Sequence, residues 1–226
     1  MDLSPAYLLA ILEVIWVNIL LSGDNAVVIA LACKSLPDNQ RRIGILLGSA
    51  AAIVLRIIFA FMVTWLMSVP FLQAAGGALL FWIAIGLARG NGGAHNVKAH
   101  ETLWYAVRTI ALADAVMSLD NVVAIAAISR GDHWLFIIGL ILSIPLIVGG
   151  ATLISNLLDK LPMLVWAGAA LLGWIAGEMI AKDPALVDIG LPVGELPHYG
   201  AAFAGAMLVV LVGYWLKRRE ARTEPA

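Results

Sequence analysis

Residues 22–30 read SGDNAVVIA, and residues 118–126 read SLDNVVAIA. Serine, aspartate, asparagine, valine, isoleucine and alanine recur at matching positions in the two stretches. A second pair of stretches also matches, since residues 78–86 read ALLFWIAIG and residues 170–178 read ALLGWIAGE. The chain therefore contains an internal repeat, and each copy carries an Asp-Asn pair inside an apolar stretch.

The apolar stretches predict helices that cross a membrane. Of the 226 residues, 62% are hydrophobic and 13% are charged, and the mean hydropathy of +0.95 is too high for a soluble domain. The runs lack the alternation of a β-barrel, and each is long enough to cross about 30 Å of hydrocarbon as a helix. We predict an all-α polytopic bundle, one membrane domain over residues 1–226, with seven spans at 7–33, 43–67, 70–88, 102–129, 134–155, 162–181 and 200–216.

The repeat divides these spans into two units of three. Residues 7–88 form the first unit, residues 102–181 form the second, and the span at 200–216 is appended. Because each unit has an odd number of spans, the second enters the membrane upside down, as in many transporters with inverted repeats. The pattern predicts a substrate site between the repeats, near the middle of the bilayer.

The basic residues predict the orientation. Arg130 and Lys182 fall on one side of the predicted membrane, and ten basic residues fall on the other. By the positive-inside rule we expect an outside amino terminus and a cytoplasmic carboxyl terminus, in a bacterial inner (plasma) membrane. The ten are Lys34, Arg41, Arg42, Arg89, Lys98, Lys160, Lys217, Arg218, Arg219 and Arg222.

Charge and cysteine content exclude several functional classes. The formal net charge of −1 gives no basic field for nucleic acid, so we expect no nucleic-acid partner. Cys33 is the single cysteine, which excludes a disulfide framework and a thiolate metal cluster. Oligomeric state cannot be read from the sequence.

Asp24 and Asp120 are the main candidates for a functional site. Both lie well within predicted spans, where an ionised carboxylate costs at least a few kcal/mol unless it is paired, hydrated or bound to a cation. Gly23 could loosen the first helix and turn Asp24 inward. Polar residues accompany both aspartates at equivalent positions: Asn18, Ser22 and Asn25 in the first copy, and Asp114, Ser118 and Asn121 in the second.

Carboxylates, amides and hydroxyls are hard oxygen donors, which suit Mn²⁺, Mg²⁺ or Ca²⁺ better than copper or zinc. We therefore predict that one of these hard divalent cations is the transported substrate, with no prosthetic group. Its predicted ligands are Asp24, Asp114, Asp120, Asn18, Asn25 and Asn121, with Ser22 and Ser118 as secondary ligands. Arg56, inside the second span, is a candidate counter-ion. Glu13 and Glu178 lie toward the outer side and are candidates for a proton relay or gate. Like charges in a low dielectric favour protonation of the empty site, so protons are the expected exchange partner.

The two Asp-Asn stretches resemble the signatures of a known family. SGDNAVVIALAC at residues 22–33 and ADAVMSLDNVVAIAA at residues 113–127 are similar to those of the TerC family of integral membrane proteins, in its short YjbE-like branch. The resemblance implies the fold of the LysE transporter superfamily, export of divalent metal, above all manganese, and an association with tellurium resistance. It assigns the family's membrane acidic residues to Asp24, Asp114 and Asp120. Asn18 departs from the carboxylate that other branches often have there.

Two other classes of function stay open on the residues alone. An intramembrane aspartyl protease also uses two membrane aspartates, which share a proton, and Gly23 before Asp24 fits that pattern. Such a dyad has no need for the asparagine that follows each aspartate. A non-transporting scaffold of a resistance complex is the other alternative, with the aspartates holding helices together. We expect no enzymatic activity.

Overall fold

The computed structural model describes residues 9, 11–13, 15–16, 23–66, 69–89, 99–128, 133–190 and 194–223. Within these ranges some side chains are not described, chiefly those of residues 119–128 and 133–140. The described part of the chain is helical with short turns, and it contains no strand. Eight helices are bounded as follows: α1 Gly23–Cys33, α2 Asp38–Leu66, α3 Leu72–Arg89, α4 Ala99–Ile128, α5 His133–Lys160, α6 Met163–Lys182, α7 Pro184–Asp188 and α8 Glu195–Thr223.

Four of the described helices are long and apolar enough to cross a membrane. They are Asp38–Phe59 within α2, the whole of α3, the whole of α6, and Glu195–Glu220 within α8. The shorter α1 is also apolar. The all-helical membrane fold is therefore confirmed. The count of seven spans stays a prediction, because much of residues 1–22 and many side chains of α4 and α5 lie outside the described part.

The helices pack in pairs that link the two halves of the chain. Apart from the packing of α8 on α6, the most extensive contacts join α2 to α4, α3 to α6, and α1 to α5, and a smaller contact joins α1 to α4. Residue numbers rise in the same direction along α2 and α4, because Gly44 faces Leu103 and Gly48 faces Ile110. These two helices are therefore parallel. Small side chains dominate the common core, which includes Ala30, Ala113 and Ala169 and allows close helix approach.

The last helix packs backbone to backbone against α6. A methyl group placed on Gly177 would overlap the carbonyl oxygen of Ala201, and one on Gly205 would overlap the carbonyl oxygen of Gly173. Because residue numbers rise along one helix as they fall along the other, α6 and α8 are antiparallel. The α8 helix also packs on α3, so α3, α6 and α8 form one group.

The connection after α6 contains a buried carboxylate. Asp183 has no exposed surface. Its side chain accepts hydrogen bonds from the backbone N–H groups of Ala185 at 2.9 Å and Leu186 at 3.3 Å, which caps α7. It also accepts from the N–H of Ala74, 2.9 Å away in the first turn of α3. Asp183 therefore fastens the start of α3 to the end of α6.

Candidate functional site

A buried ion pair joins α2 to α4. The Arg56 side chain is 1% exposed and the Asp114 side chain is 4% exposed. Arg56 donates through Nη2 to Asp114 Oδ1 at 2.5 Å and through Nε to Asp114 Oδ2 at 3.2 Å, so the guanidinium holds both carboxylate oxygens. The Ser118 hydroxyl, one turn further along α4, donates to Asp114 Oδ2 at 2.8 Å. The fork geometry of arginine suits such two-point binding of a carboxylate.

Asp24, in the first turn of α1, lies within electrostatic range of this ion pair. Its carboxylate is close enough to interact electrostatically with both Arg56 and Asp114. It accepts a hydrogen bond from the backbone N–H of Asn25 at 2.8 Å, and its side chain is half-buried rather than sealed. The structure therefore places Asp24 within electrostatic range of Arg56 and Asp114, and the Asp114 carboxylate is already bound by the guanidinium.

Several predicted ligands cannot be placed. Asn18 and Ser22 lie outside the described residues, as do the side chains of Asp120 and Asn121, although the backbone of α4 is helical there. Asn25 is described and is 2% exposed beside Asp24. Whether Asp24 and Asp120 face each other, and whether the helix loosens before Gly23, stay predictions. The packing of α1 on α4 brings the two Asp-Asn helices into contact.

The two outer glutamates are not seen with the aspartates. Glu13 is exposed on a helical segment. Glu178 forms an ion pair with Lys182, one turn along α6. Among the described residues, the ionic partner of Glu178 is therefore Lys182 of the same helix. A relay role for either glutamate stays a prediction.

Sequence reasoning missed a buried hydroxyl on α2. Ser49 is 1% exposed, and its Oγ has no hydrogen-bond partner within the described part of the chain. It lies two helical turns before Arg56, on the same face of α2. The signal was present in the sequence, because a serine seven residues from a membrane arginine is placed on the same helix face.

One end of the bundle is strongly basic. Arg41 at the start of α2 pairs with Asp159 at the end of α5, and Arg89 at the end of α3 pairs with Glu220 near the end of α8. The carbonyl oxygen of Lys34 accepts from Arg41 at 3.3 Å, which brings the end of α1 to the same place. The basic residues that the sequence assigned to one side are therefore gathered at one end wherever these helices are described.

The arrangement has the chemistry of a cation site within helices. A half-buried carboxylate adjoins a buried ion pair whose guanidinium limits the local negative charge. Separately, no cluster of three or more histidine, cysteine or acidic side chains with metal-binding geometry exists among the described residues. Because Asp120 is not among the described side chains, that result concerns only part of the predicted ligand set.

Several curated bacterial proteins are similar to this chain. The membrane protein YjbE of Bacillus subtilis is 43% identical over 180 residues, covering 80% of this chain and 83% of its own length. YceF of the same organism is 27% identical over 220 residues, covering 92% of this chain and 82% of its own length. YkoY, also a membrane protein of Bacillus subtilis, is 26% identical over 235 residues, covering 91% of this chain and 72% of its own length.

No solved structure matches the chain significantly. The profile of the family described as "Integral membrane protein TerC family" matches residues 3–221, which is nearly the whole chain. The YjbE similarity covers most of both proteins and agrees with that match. With its membrane-crossing helices and its two Asp-Asn stretches, the chain belongs to the TerC family of integral membrane proteins.

Proposed function

We propose that this protein exports a divalent metal cation, above all Mn²⁺, from the cytoplasm in exchange for protons. The observation that carries the proposal is the half-buried Asp24 carboxylate beside the buried Arg56–Asp114 ion pair, inside a helical membrane bundle. A carboxylate at such a position is costly unless a cation accompanies it. Arg56 already binds both oxygens of Asp114, which leaves Asp24 as the carboxylate that can accept another cation.

The charge of the site suits a divalent ion. Asp24, Asp114 and Asp120 carry three negative charges when ionised, and Arg56 carries one positive charge. The remaining two negative charges match one divalent cation or two protons, so either occupant would leave the site neutral. Neutrality in both states supports exchange of one metal ion for two protons, because neither state then leaves a net charge in the low-dielectric interior.

The proposed ligands favour a hard metal. Asp24 and Asp120 would supply carboxylate oxygens, and amide oxygens would come from Asn18, Asn25 and Asn121, with Ser22 and Ser118 as further hydroxyl ligands. Asp114 would act mainly through its charge, because Arg56 and Ser118 already occupy its oxygens. Oxygen-rich sites of this kind bind Mn²⁺, Mg²⁺ and Ca²⁺.

Helix packing supports an inverted repeat as the basis of transport. If the first three membrane helices and the next three are related by a two-fold axis in the membrane plane, contacts between the two units must occur in equivalent pairs. A contact of the first helix of one unit with the second helix of the other then requires the reverse contact as well, and two third helices that meet are equivalent to each other. The contacts of α1 with α5, α2 with α4, and α3 with α6 follow this rule. Alternating opening of the site to the two sides is the mechanism that such repeats support.

The basic end of the bundle supports the proposed orientation. Arg41, Arg89 and Lys34 share one end of the helices. This end would face the cytoplasm of a bacterial cell and the amino terminus would face outside, with the protein in the inner membrane. Metal would then enter the site from the end where α1 finishes and α2 begins.

Flux measurements with purified protein in sealed vesicles test the function. We expect ⁵⁴Mn²⁺ to move across the vesicle membrane and protons to move in the opposite direction, followed by a trapped pH-sensitive dye. Asp24→Asn should reduce the flux to that of protein-free vesicles. Asp188→Asn is the matched control, because it makes the same change in the short α7 outside the bundle. Full manganese flux in the folded Asp24→Asn variant would show that the carboxylate is structural and would refute the proposal.

A further inference from the structure

A pocket with two lysines and an otherwise largely apolar lining lies at the basic end of the bundle, away from Asp24 and Asp114. Its volume is about 430 Å³, within the range of about 300–1,000 Å³ that is usual for small-molecule sites. The pocket lies between the end of α1, the end of α3, the start of α6 and the last part of α8. Its lining includes Lys34, Lys217, Trp166, Leu31, Leu87 and Val165.

The two lysines of this pocket, Lys34 and Lys217, have no carboxylate in ion-pairing contact among the described residues. The ammonium group of Lys217 lies 5.6 Å from the centre of the Trp166 ring, which supplies only a cation–π contact. Burial lowers the pKa of Lys34, and the charges of Lys217 and Arg41 lower it further, against the opposing effect of Asp159.

The start of α6 adds to this positive potential. Pro162 and Met163 both line the pocket, and they are the cap and first residue of this 20-residue helix. No side chain caps the helix. A helix N-terminus carries partial positive charge and favours anions. The pocket thus presents two ammonium groups and a helix start to the same volume.

The remaining walls favour a ligand with an apolar part. Leu31 lies in the last turn of α1 and Lys34 directly follows that helix, while Val165 follows Met163 within α6, so the apolar wall lies on the side of the pocket nearer the membrane centre. Met163, which lines the pocket, is 82% exposed, and Leu161, two residues earlier in the chain, is 51% exposed. In a membrane protein such exposed apolar side chains at the end of a span adjoin lipid. A free inorganic anion has no apolar part that could pack against these surfaces.

We propose that this pocket binds the phosphate headgroup of an anionic phospholipid, with Lys34 and Lys217 contacting the phosphate and the apolar wall contacting the start of the acyl chains. Basic pockets between membrane helices on the cytoplasmic side are suited to such headgroups. The site is separate from the proposed cation site and does not depend on transport.

Binding of a short-chain phosphatidylglycerol to the purified full-length protein in neutral detergent tests the proposal. Lys34→Gln and Lys217→Gln should each weaken binding about fivefold, and the double variant about twenty-five-fold, from the usual contribution of one lysine near an anionic lipid. Lys160→Gln is the matched control, because Lys160 is exposed at the same end of the bundle but does not line the pocket. Its affinity should stay within twofold of the parent.

Further measurements distinguish the source of the phosphate and guard against misfolding. Short-chain phosphatidylcholine and inorganic phosphate should each bind at least tenfold more weakly than phosphatidylglycerol. Lys34→Arg and Lys217→Arg should keep the affinity, since they keep the charge. Equal weakening by Lys160→Gln, equal binding of inorganic phosphate, or loss of binding in the arginine variants would each overturn the proposal.

Discussion

Removing one partner of the Arg56–Asp114 pair should destabilise the protein far more than removing both. Arg56→Gln leaves the 4% exposed Asp114 carboxylate without its guanidinium, and a single orphaned buried charge typically costs about 3–5 kcal/mol. The cost of protonating the carboxylate gives an independent upper limit for this loss. A carboxylate without its guanidinium can take up a proton, and protonating an ordinary aspartate at pH 7 costs about 4 kcal/mol, which agrees with the range above. Asp114→Asn should cost a similar amount, because it removes the carboxylate that the guanidinium holds at two points.

The double variant Arg56→Gln, Asp114→Asn contains two neutral amides, so we expect it to lie within about 2 kcal/mol of the parent. The free energy of unfolding of all four proteins can be measured by SDS titration in mixed micelles. The expected coupling energy between the two positions is at least about 4 kcal/mol, because each single variant loses about 3 kcal/mol or more and the double variant loses about 2 kcal/mol or less. If a single variant does not accumulate, recovery of folded protein in the double variant gives the same information. Additive losses would refute the conclusion that these two charges neutralise each other.

Three further predictions concern other parts of the molecule. Asp183→Ala should lower the free energy of unfolding by about 1–2 kcal/mol, because it removes a cap that serves α3 and α7, whereas Asp188→Ala should change it by less than about 0.5 kcal/mol; equal effects in SDS titration would contradict the capping role. An impermeant thiol reagent should label Ser4→Cys from outside intact cells and should not label Arg222→Cys, and the reverse pattern would invalidate the proposed orientation. Because its pKa is lowered, Lys34 should become a neutral, acylatable amine as the pH rises, with a midpoint below the ordinary 10.5; competitive labelling with peptide mass spectrometry measures that midpoint, and a value of 10.5 or above would contradict the lowered pKa.

Hydropathy predicted where the helices lie better than where they end. The span expected at 43–67 belongs to a helix that begins at Asp38, and the span expected at 200–216 belongs to α8, Glu195–Thr223. An apolar window detects only the part of a helix that crosses hydrocarbon, whereas these helices continue into water through charged turns. Asp38 lies in the first turn of α2, where a carboxylate favours helix formation.

The site was predictable as a set of residue types but not as a set of partners. The repeated Asp-Asn pair directs attention to Asp24, and Arg56 is conspicuous as a membrane arginine. Arg56 binds Asp114 through two of its guanidinium nitrogens, Nε and Nη2. This contact depends on how α2 is rotated and shifted against α4, and the periodicity of the sequence does not determine that. Asp183 was obscured for a related reason. A carboxylate before a proline suggests a helix cap, but its contact with Ala74 arises only from the packing of α3 on α6.

The glycine contacts between α6 and α8 have a mechanical consequence. Where Gly177 meets Ala201 and Gly205 meets Gly173, neither helix can rotate or slide without backbone atoms colliding. With α3 packed on both, these three helices should move as a stiff frame, and any gating motion should occur between that frame and the helices that carry Asp24 and Arg56. A spectroscopic label on α8 would then report the position of the frame. The change in its distance to a second label on α2 would give the amplitude of the gate.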